Sequence, residues 1–261
     1  MNKTLRIFGQ FYLKDWFVHL KKIKDYISSY CFFLPLTYSL GFGYIVPNST
    51  FHNLGFPASF VLIGSLTILF ITNTVPINLD FLMDIQSNRY IEYQMSILRP
   101  KWLILERILF SASLMSCIML VFFTMCKLFL GGWLNTENLS IIKLVAITIL
   151  GSLWSSSYIV MSYSIMGDTT YISSWYRRCN FPMIVLGGLW MNWATMYKFS
   201  PLLGYISLCN PLIYISEGLR CAVFGQAGFI PFWICSLALL TISILFYFIT
   251  LIAFKKLVDH A

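Results

Sequence analysis

Apolar residues fill most of this chain in blocks long enough to cross a lipid bilayer, and short polar stretches separate the blocks. From Tyr26 to Leu79 there is no Asp, Glu, Lys or Arg, a stretch that fits two spans joined by a turn rich in Pro, Gly and Asn. The whole pattern predicts six transmembrane helices. Their predicted bounds are 29–46, 58–78, 108–130, 141–166, 180–197 and 229–253.

The first segment of the chain, 3–27, has a different pattern. Its apolar residues recur at spacings of three or four and its basic residues lie between them, which is typical of an amphipathic helix with a basic face. The apolar positions are Leu5, Phe8, Tyr12, Trp16, Leu20, Ile23 and Ile27. We therefore expect a helix that lies in the membrane interface and does not cross it.

Composition supports a membrane protein independently of the pattern. Hydrophobic residues make up 58% of the 261 residues and charged residues 11%, whereas soluble domains are about 25% charged. Six spans leave no room for a separate soluble domain, so we expect one all-α transmembrane domain over 1–261. The aromatic share of 18% fits lipid-facing belts, or an aromatic-lined pathway for an amphipathic cargo.

The net charge of +8 indicates membrane orientation here rather than a nucleic-acid partner. If 3–27, 80–107, 167–179 and the C-terminal tail share one side, that side holds 14 of the 18 Lys and Arg residues. Cytoplasmic loops carry this excess, so we expect both termini in the cytoplasm.

Several catalytic and transport motifs are absent from the sequence. There is no G-x-x-x-x-G-K-[ST] phosphate loop, no H-E-x-x-H, no G-x-S-x-G and no His/Cys cluster at metal-ligand spacing. The predicted spans hold no carboxylate near their centres, where an ion-coupled carrier usually has one. We therefore expect no enzyme activity in this chain and no bound cofactor or metal.

The most charged internal stretch is the predicted cytoplasmic loop 80–107, which contains "RYIEYQMSILRP". It has helical character up to Leu98, and the Arg99-Pro100 dipeptide should end that helix. A short charged helix between two spans is a docking element for a soluble partner, and the alternative is an ordinary solvated loop.

A second unusual stretch, "NPLIYISEGLR", runs from Asn210 to Arg220. Asn210 and Pro211 are typical of the first positions of a helix, and Gly225 can end it. Glu217 and Arg220 lie one turn apart and can interact. Residues 198–227 fall on the extracytoplasmic side, where we expect a re-entrant helical segment followed by this helix. The charged pair either contacts cargo or fixes the helix, and the alternative for the whole stretch is a surface amphipathic turn.

Together these segments resemble the ABC-2 type permeases, the membrane subunits of ABC exporters. The order is a basic N-terminal helix, two spans, a charged loop, three spans, the Asn-Pro helix and a last span with a basic tail. The pattern Asn-Pro-x-x-Tyr-x-x-x-Gly/Ala-x-Arg carries the most specific part of the resemblance. Here its positions are Asn210, Pro211, Tyr214, Gly218 and Arg220.

The resemblance implies a permease in the bacterial inner membrane that pairs with itself and with a separate ATPase, which would bind ATP and magnesium. It implies an ATPase-coupling interface at Arg89, Tyr90, Glu92, Arg99 and Pro100. It also implies an extracytoplasmic gate at Asn210, Pro211, Tyr214, Glu217, Gly218 and Arg220. The expected cargo is lipid-like, drug-like or a polysaccharide. The alternatives are a membrane assembly scaffold and an ion-coupled carrier.

Overall fold

The computed structural model of the chain describes residues 3–21, 24, 27–45, 58–87, 89–131 and 138–259. These residues form helices and turns without a strand, which confirms the all-helical prediction. The α-helices are α1 (Lys3–Leu20), α2 (Leu34–Tyr38), α3 (Ala58–Thr72), α4 (Thr74–Ile77), α5 (Leu79–Gln86), α6 (Arg89–Ile97), α7 (Pro100–Leu130), α8 (Ile141–Met166), α9 (Ile172–Trp175), α10 (Phe181–Val185), α11 (Trp193–Phe199), α12 (Pro201–Leu208), α13 (Pro211–Phe224) and α14 (Phe232–Asp259).

Four helical segments of the described chain are long and apolar enough to cross a membrane. They are Ser59–Gln86, Pro100–Leu130, Ile141–Met166 and Phe232–Lys256. The molecule therefore has the architecture of a multi-pass membrane protein. The predicted span 141–166 coincides with α8. The predicted span 108–130 lies in α7, which begins eight residues before that span because Pro100 occupies the first helical position after Arg99.

The predicted span 180–197 is not one helix. A π-helical turn, Tyr176–Asn180, leads into α10, which ends at Val185, and the helix resumes only at Trp193. Gly188 has φ +76°, a left-handed conformation that glycine adopts without steric cost and that interrupts a helix. This part of the chain is thus a short helix, a turn and a second short helix.

The predicted span 29–46 also differs from a regular helix. Its described part is α2 with a π-helical turn on either side, Ile27–Phe33 and Ser39–Ile45. The run packs antiparallel to α7, with the Phe32 and Phe129 ring centroids 5.9 Å apart and those of Tyr38 and Phe122 5.6 Å apart. The predicted turn that follows it, from 47 to 57, lies outside the described residues.

The ends of the long helices meet at two opposite faces. At the first, which we call the α6 face, the Tyr247 hydroxyl donates to the Lys101 carbonyl at 3.1 Å and the Gln86 amide donates to Asp168 at 3.1 Å. At the second, the α13 face, the Ser140 amide donates to the Ala222 carbonyl at 2.8 Å. The segment Ser59–Gln86 and the helices α8 and α14 therefore run from the α13 face to the α6 face, and α7 runs in the opposite direction.

The N-terminal helix α1 packs against α7 at the α6 face. The Phe8 and Trp102 ring centroids are 6.0 Å apart, and the Tyr12 hydroxyl donates to Ser113 at 2.8 Å. Leu13 and Phe17 face away from the protein and are exposed, as expected of an interfacial helix. Of the predicted helix 3–27 the structure describes 3–21, 24 and 27, and α1 itself ends at Leu20.

Candidate functional site

The helix predicted from Asn210 and Pro211 is present as α13, and its start has the expected cap. The Asn210 side-chain oxygen accepts a hydrogen bond from the Leu212 amide at 3.1 Å, and Pro211 takes the first helical position. Gly225, with φ +94°, follows the last residue of the helix. These signals were readable in the sequence because each depends only on neighbouring residues.

The environment of α13 differs from the expected surface position, because the helix is enclosed on nearly all sides. Glu217 and Arg220 both have 0% of their surface exposed. Gly218 packs so closely against Ile147 of α8 that a side chain there would collide with it. The α13 helix is therefore an interior element and not a surface amphipathic turn.

The Glu217 carboxylate binds two backbone amides from different segments. Its Oε1 atom accepts from the Trp193 amide at 2.8 Å, and its Oε2 atom accepts from the Ile230 amide at 3.1 Å. One amide begins α11, and the other lies two residues before the start of α14.

The Arg220 guanidinium binds backbone carbonyls in the turn after α10. It donates to Leu189 at 3.0 Å and to Met191 at 3.3 Å. Its central carbon lies 4.0 Å from the centroid of the Phe60 ring, a cation–π contact with α3. The nearest approach to Glu217 is 4.0 Å, at the limit for an ion pair. Each charge is thus held mainly by backbone groups, with the other charge nearby.

Two glycines allow this arrangement. A Cβ atom at Gly64 of α3 would collide with the Leu189 carbonyl and the Arg220 guanidinium. A Cβ atom at Gly188 would approach within 2.5 Å of the Ile213 and Ser216 side chains of α13. The turn formed by residues 186–192 is consequently clamped between α3 and α13.

The short helices α11 and α12 cover this clamped turn at the α13 face. The Trp193 indole donates to the Gly204 carbonyl at 3.1 Å, joining the two helices. The Tyr214 hydroxyl donates to the Leu208 carbonyl at 2.7 Å, and the Asn210 amide donates to the Met183 carbonyl at 2.6 Å. All six predicted gate residues thus lie in one helix with its cap, and four of them bind or support the surrounding backbone.

The predicted coupling residues lie at the α6 face, on and just after α6. Glu92, Arg99 and Pro100 are exposed, whereas the side chains of Arg89 and Tyr90 lie outside the described set. The opposite side of α6 is buried through Ile91 and Gln94. The helix breaks between Leu98 and Pro100, as expected from the Arg99-Pro100 dipeptide.

An ion-pair cluster that the sequence did not reveal connects three elements beside α6. The Arg107 guanidinium donates to Asp15 of α1 at 2.7 Å and to Asp84 of α5 at 3.2 Å. Asp15 is 6% exposed. Asp15 and Asp84 lie 92 and 23 positions before Arg107 in the sequence, so no local pattern could pair them with it.

Within the described residues, no group of three His, Cys, Asp or Glu side chains could hold a metal ion. Comparisons of the chain with models of protein families, with curated proteins and with solved structures found no match.

Proposed function

We propose that this chain is the membrane subunit of an ATP-driven exporter of the ABC-2 type, located in a bacterial inner membrane. It works as a homodimer with a separate ATPase that supplies ATP and magnesium. The α6 face is cytoplasmic and the α13 face is extracytoplasmic. The resemblance of the Asn210–Arg220 stretch to the family motif supports the proposal, and so does the order of segments along the chain.

Helix α6 has one exposed side, the docking edge, and one buried side, and this observation is the main support for the proposal. Glu92 and Tyr93 point away from the protein, and Tyr93 is 63% exposed. The next residues lead through one break into α7, a candidate span. A soluble partner that pushes on this edge would therefore act directly on a membrane-crossing helix, which is the geometry that ATP-driven coupling requires.

Co-purification of the tagged chain from its native membrane tests the partnership. We expect a protein with a phosphate-loop ATPase motif to be retained. If the chain is purified intact and no ATPase accompanies it, the export proposal fails, and a scaffold role becomes the better explanation.

Charge reversal at Glu92 tests the docking edge. Glu92→Lys should abolish transport or substrate-stimulated ATP hydrolysis while membrane insertion stays normal, because the side chain is exposed and forms no ion pair with the side chains that the structure describes. Asp80→Lys is the matched control, since Asp80 is also an exposed acid at the same face. Normal transport by the Glu92 variant would exclude this docking surface.

The lining of the space near the clamped turn is apolar. A cavity of about 240 Å³ is lined there by Val185, Leu186, Trp190, Met191, Met196, Phe199, Leu203 and Ser207. The Ser207 hydroxyl is in the lining, and it already donates a hydrogen bond to the Gly204 carbonyl. We therefore favour a lipid-like or drug-like cargo over a polysaccharide. Stimulation of ATP hydrolysis by oligosaccharides and not by amphiphiles would reverse this preference.

A further inference from the structure

A second cavity lies at the α6 face, where α7 begins and α14 ends. It has a volume of about 470 Å³, within the range of about 300–1,000 Å³ that is usual for small-molecule sites. Its apolar wall consists of Met95, Pro100, Leu251 and Phe254. The cavity therefore opens at the level where two candidate spans leave the membrane.

Three cationic residues are also among those that line this cavity: Arg99, Lys101 and Lys255. No acidic residue lines it. Across the part of the chain that the structure describes, none of the three has a carboxylate within ion-pair distance. This contrasts with Arg107 nearby, which has two carboxylate partners.

We propose that this cavity binds an anionic phospholipid from the adjacent leaflet, with its phosphate among the three cations and its acyl chain against the apolar wall. Basic pockets between transmembrane helices bind anionic headgroups, because the negative charge is neutralised where the hydrocarbon is also covered. Basic residues that serve only to orient the chain in the membrane do not need an apolar surface beside them. The proposal requires the membrane location of the chain and is independent of an export role.

The position of the site gives the lipid a structural effect. Arg99 lies between α6 and α7, and the Lys101 carbonyl accepts a hydrogen bond from Tyr247 of α14. A phosphate bound here would link the break after α6 to the end of α14. The lipid composition of the leaflet would consequently affect the position of α6.

Native mass spectrometry of the purified full-length chain tests the site. The protein is released from mixed micelles of phosphatidylglycerol and phosphatidylcholine, and the bound lipids are counted. We expect preferential retention of phosphatidylglycerol. The double variant Lys101→Gln/Lys255→Gln should reduce this retention at least about tenfold, since each cation near an anionic headgroup contributes appreciably to binding.

The matched control is Arg177→Gln/Arg178→Gln, which removes the same charge beside a cavity of similar size lined mainly by polar residues. This control should retain the lipid as the parent does. Equal loss in both variants would indicate a general charge effect and overturn the site. Unchanged lipid retention by the Lys101/Lys255 variant would overturn it as well. A loss of the lipid by this variant supports the site when its unfolding temperature in lipid-free detergent matches the parent, and a loss that follows from unfolding contradicts a specific site.

A further arm separates lipid from free phosphate. Leu251→Ala should weaken phosphatidylglycerol binding, and added inorganic phosphate should not displace the lipid. If inorganic phosphate displaces it fully and Leu251→Ala has no effect, the cavity is a phosphate site, and the lipid assignment is wrong.

Discussion

Glu217 and Arg220 are buried charges whose closest partners are backbone groups of other segments. Two amides bind the carboxylate and two carbonyls bind the guanidinium, all at 2.8–3.3 Å. Hydrogen bonds to ionised groups are stronger than neutral ones, and a buried charge without partners is costly. This geometry favours a role in fixing the fold around α13 over direct contact with cargo.

Removing the Glu217 charge should therefore destabilise the folded chain. Glu217→Gln keeps the side-chain size but leaves Arg220 buried without a counter-charge, and it points an amide donor at a backbone amide. We expect a loss of about 3–5 kcal/mol in the free energy of unfolding. Thermal unfolding in detergent measures it, with Glu92→Gln as the exposed control. An unchanged melting temperature for the Glu217 variant would show that the pair does not hold this region.

Gly64 provides a second test of the clamp, this time from the side of α3. Gly64→Ala should cost about 1–3 kcal/mol, because the added methyl group displaces the Leu189 carbonyl or the Arg220 guanidinium. Gly9→Ala in α1 is the matched control, since no atom lies within 4 Å of its Cβ position. The two variants are compared by folded yield and unfolding temperature. Equal stability of both would mean that the turn does not contact α3 this closely.

At the scale of elements, α1 is joined to the helices on either side of α6 through Arg107. The guanidinium binds Asp15 of α1 and Asp84 of α5, while Tyr12 and Trp16 pack near Phe110 of α7. An interfacial helix held by both aromatic and ionic contacts moves together with α7. Movement at the docking edge would then be transmitted to α1 as well.

Hydrogen exchange can show whether this ionic contact holds α1. Asp15→Asn removes the charge from a largely buried pair, so the local opening free energy of α1 should fall by about 1.5–3 kcal/mol. Lys14→Gln is the control, because Lys14 is 42% exposed and its pairing with Asp15, at 3.5 Å, lies on the surface. Faster exchange in α1 for the Lys14 variant only would contradict the role given to Arg107.

The helices that were predicted well are those whose limits are set locally. The bounds of α8 follow from an uninterrupted apolar run. Helix α13 begins at an Asn-Pro pair, which favours a helix start independently of the rest of the fold. The interruption within 180–197 was not predicted, because a run of apolar residues does not show whether it forms one continuous helix. This interruption depends on Gly188 and on carbonyls that bind Arg220, and such long-range contacts leave no periodic signal.

The same limit applies to the candidate site. The charged residues of the predicted gate and of the predicted coupling interface were readable in the sequence, since charge is rare in this chain and therefore conspicuous. The burial of Glu217 was not predicted. Charged side chains are expected outside the hydrocarbon region of the membrane, so Glu217 was expected at the surface. The Arg107 cluster was not predicted either, since Asp15, Asp84 and Arg107 come from three separate elements.

At the scale of the whole molecule, the two faces constrain how often the chain crosses the membrane. Asp168 lies at the α6 face, and Phe232 lies beside Lys143 at the α13 face. The segment between them must therefore pass from one face to the other, although it contains no long helix. The chain also passes from one face to the other between α1, at the α6 face, and α3, whose Phe60 ring stacks on Phe224 of α13.

We therefore expect six crossings: four by the long helices, one between α1 and α3, and one between Asp168 and Phe232. Alkaline phosphatase, which is active only outside the cytoplasm, is fused after Gly131, Met166, Gly225 or Ala261 in successive truncations. Fusions after Gly131 and Gly225 should be active, and those after Met166 and Ala261 inactive, with immunoblots to confirm equal expression. The Gly225 fusion decides the number of crossings: if it is inactive while the Gly131 fusion is active, the segment from 167 to 225 stays on the cytoplasmic side. In that case the clamp around Glu217 and Arg220 cannot form part of an outer gate.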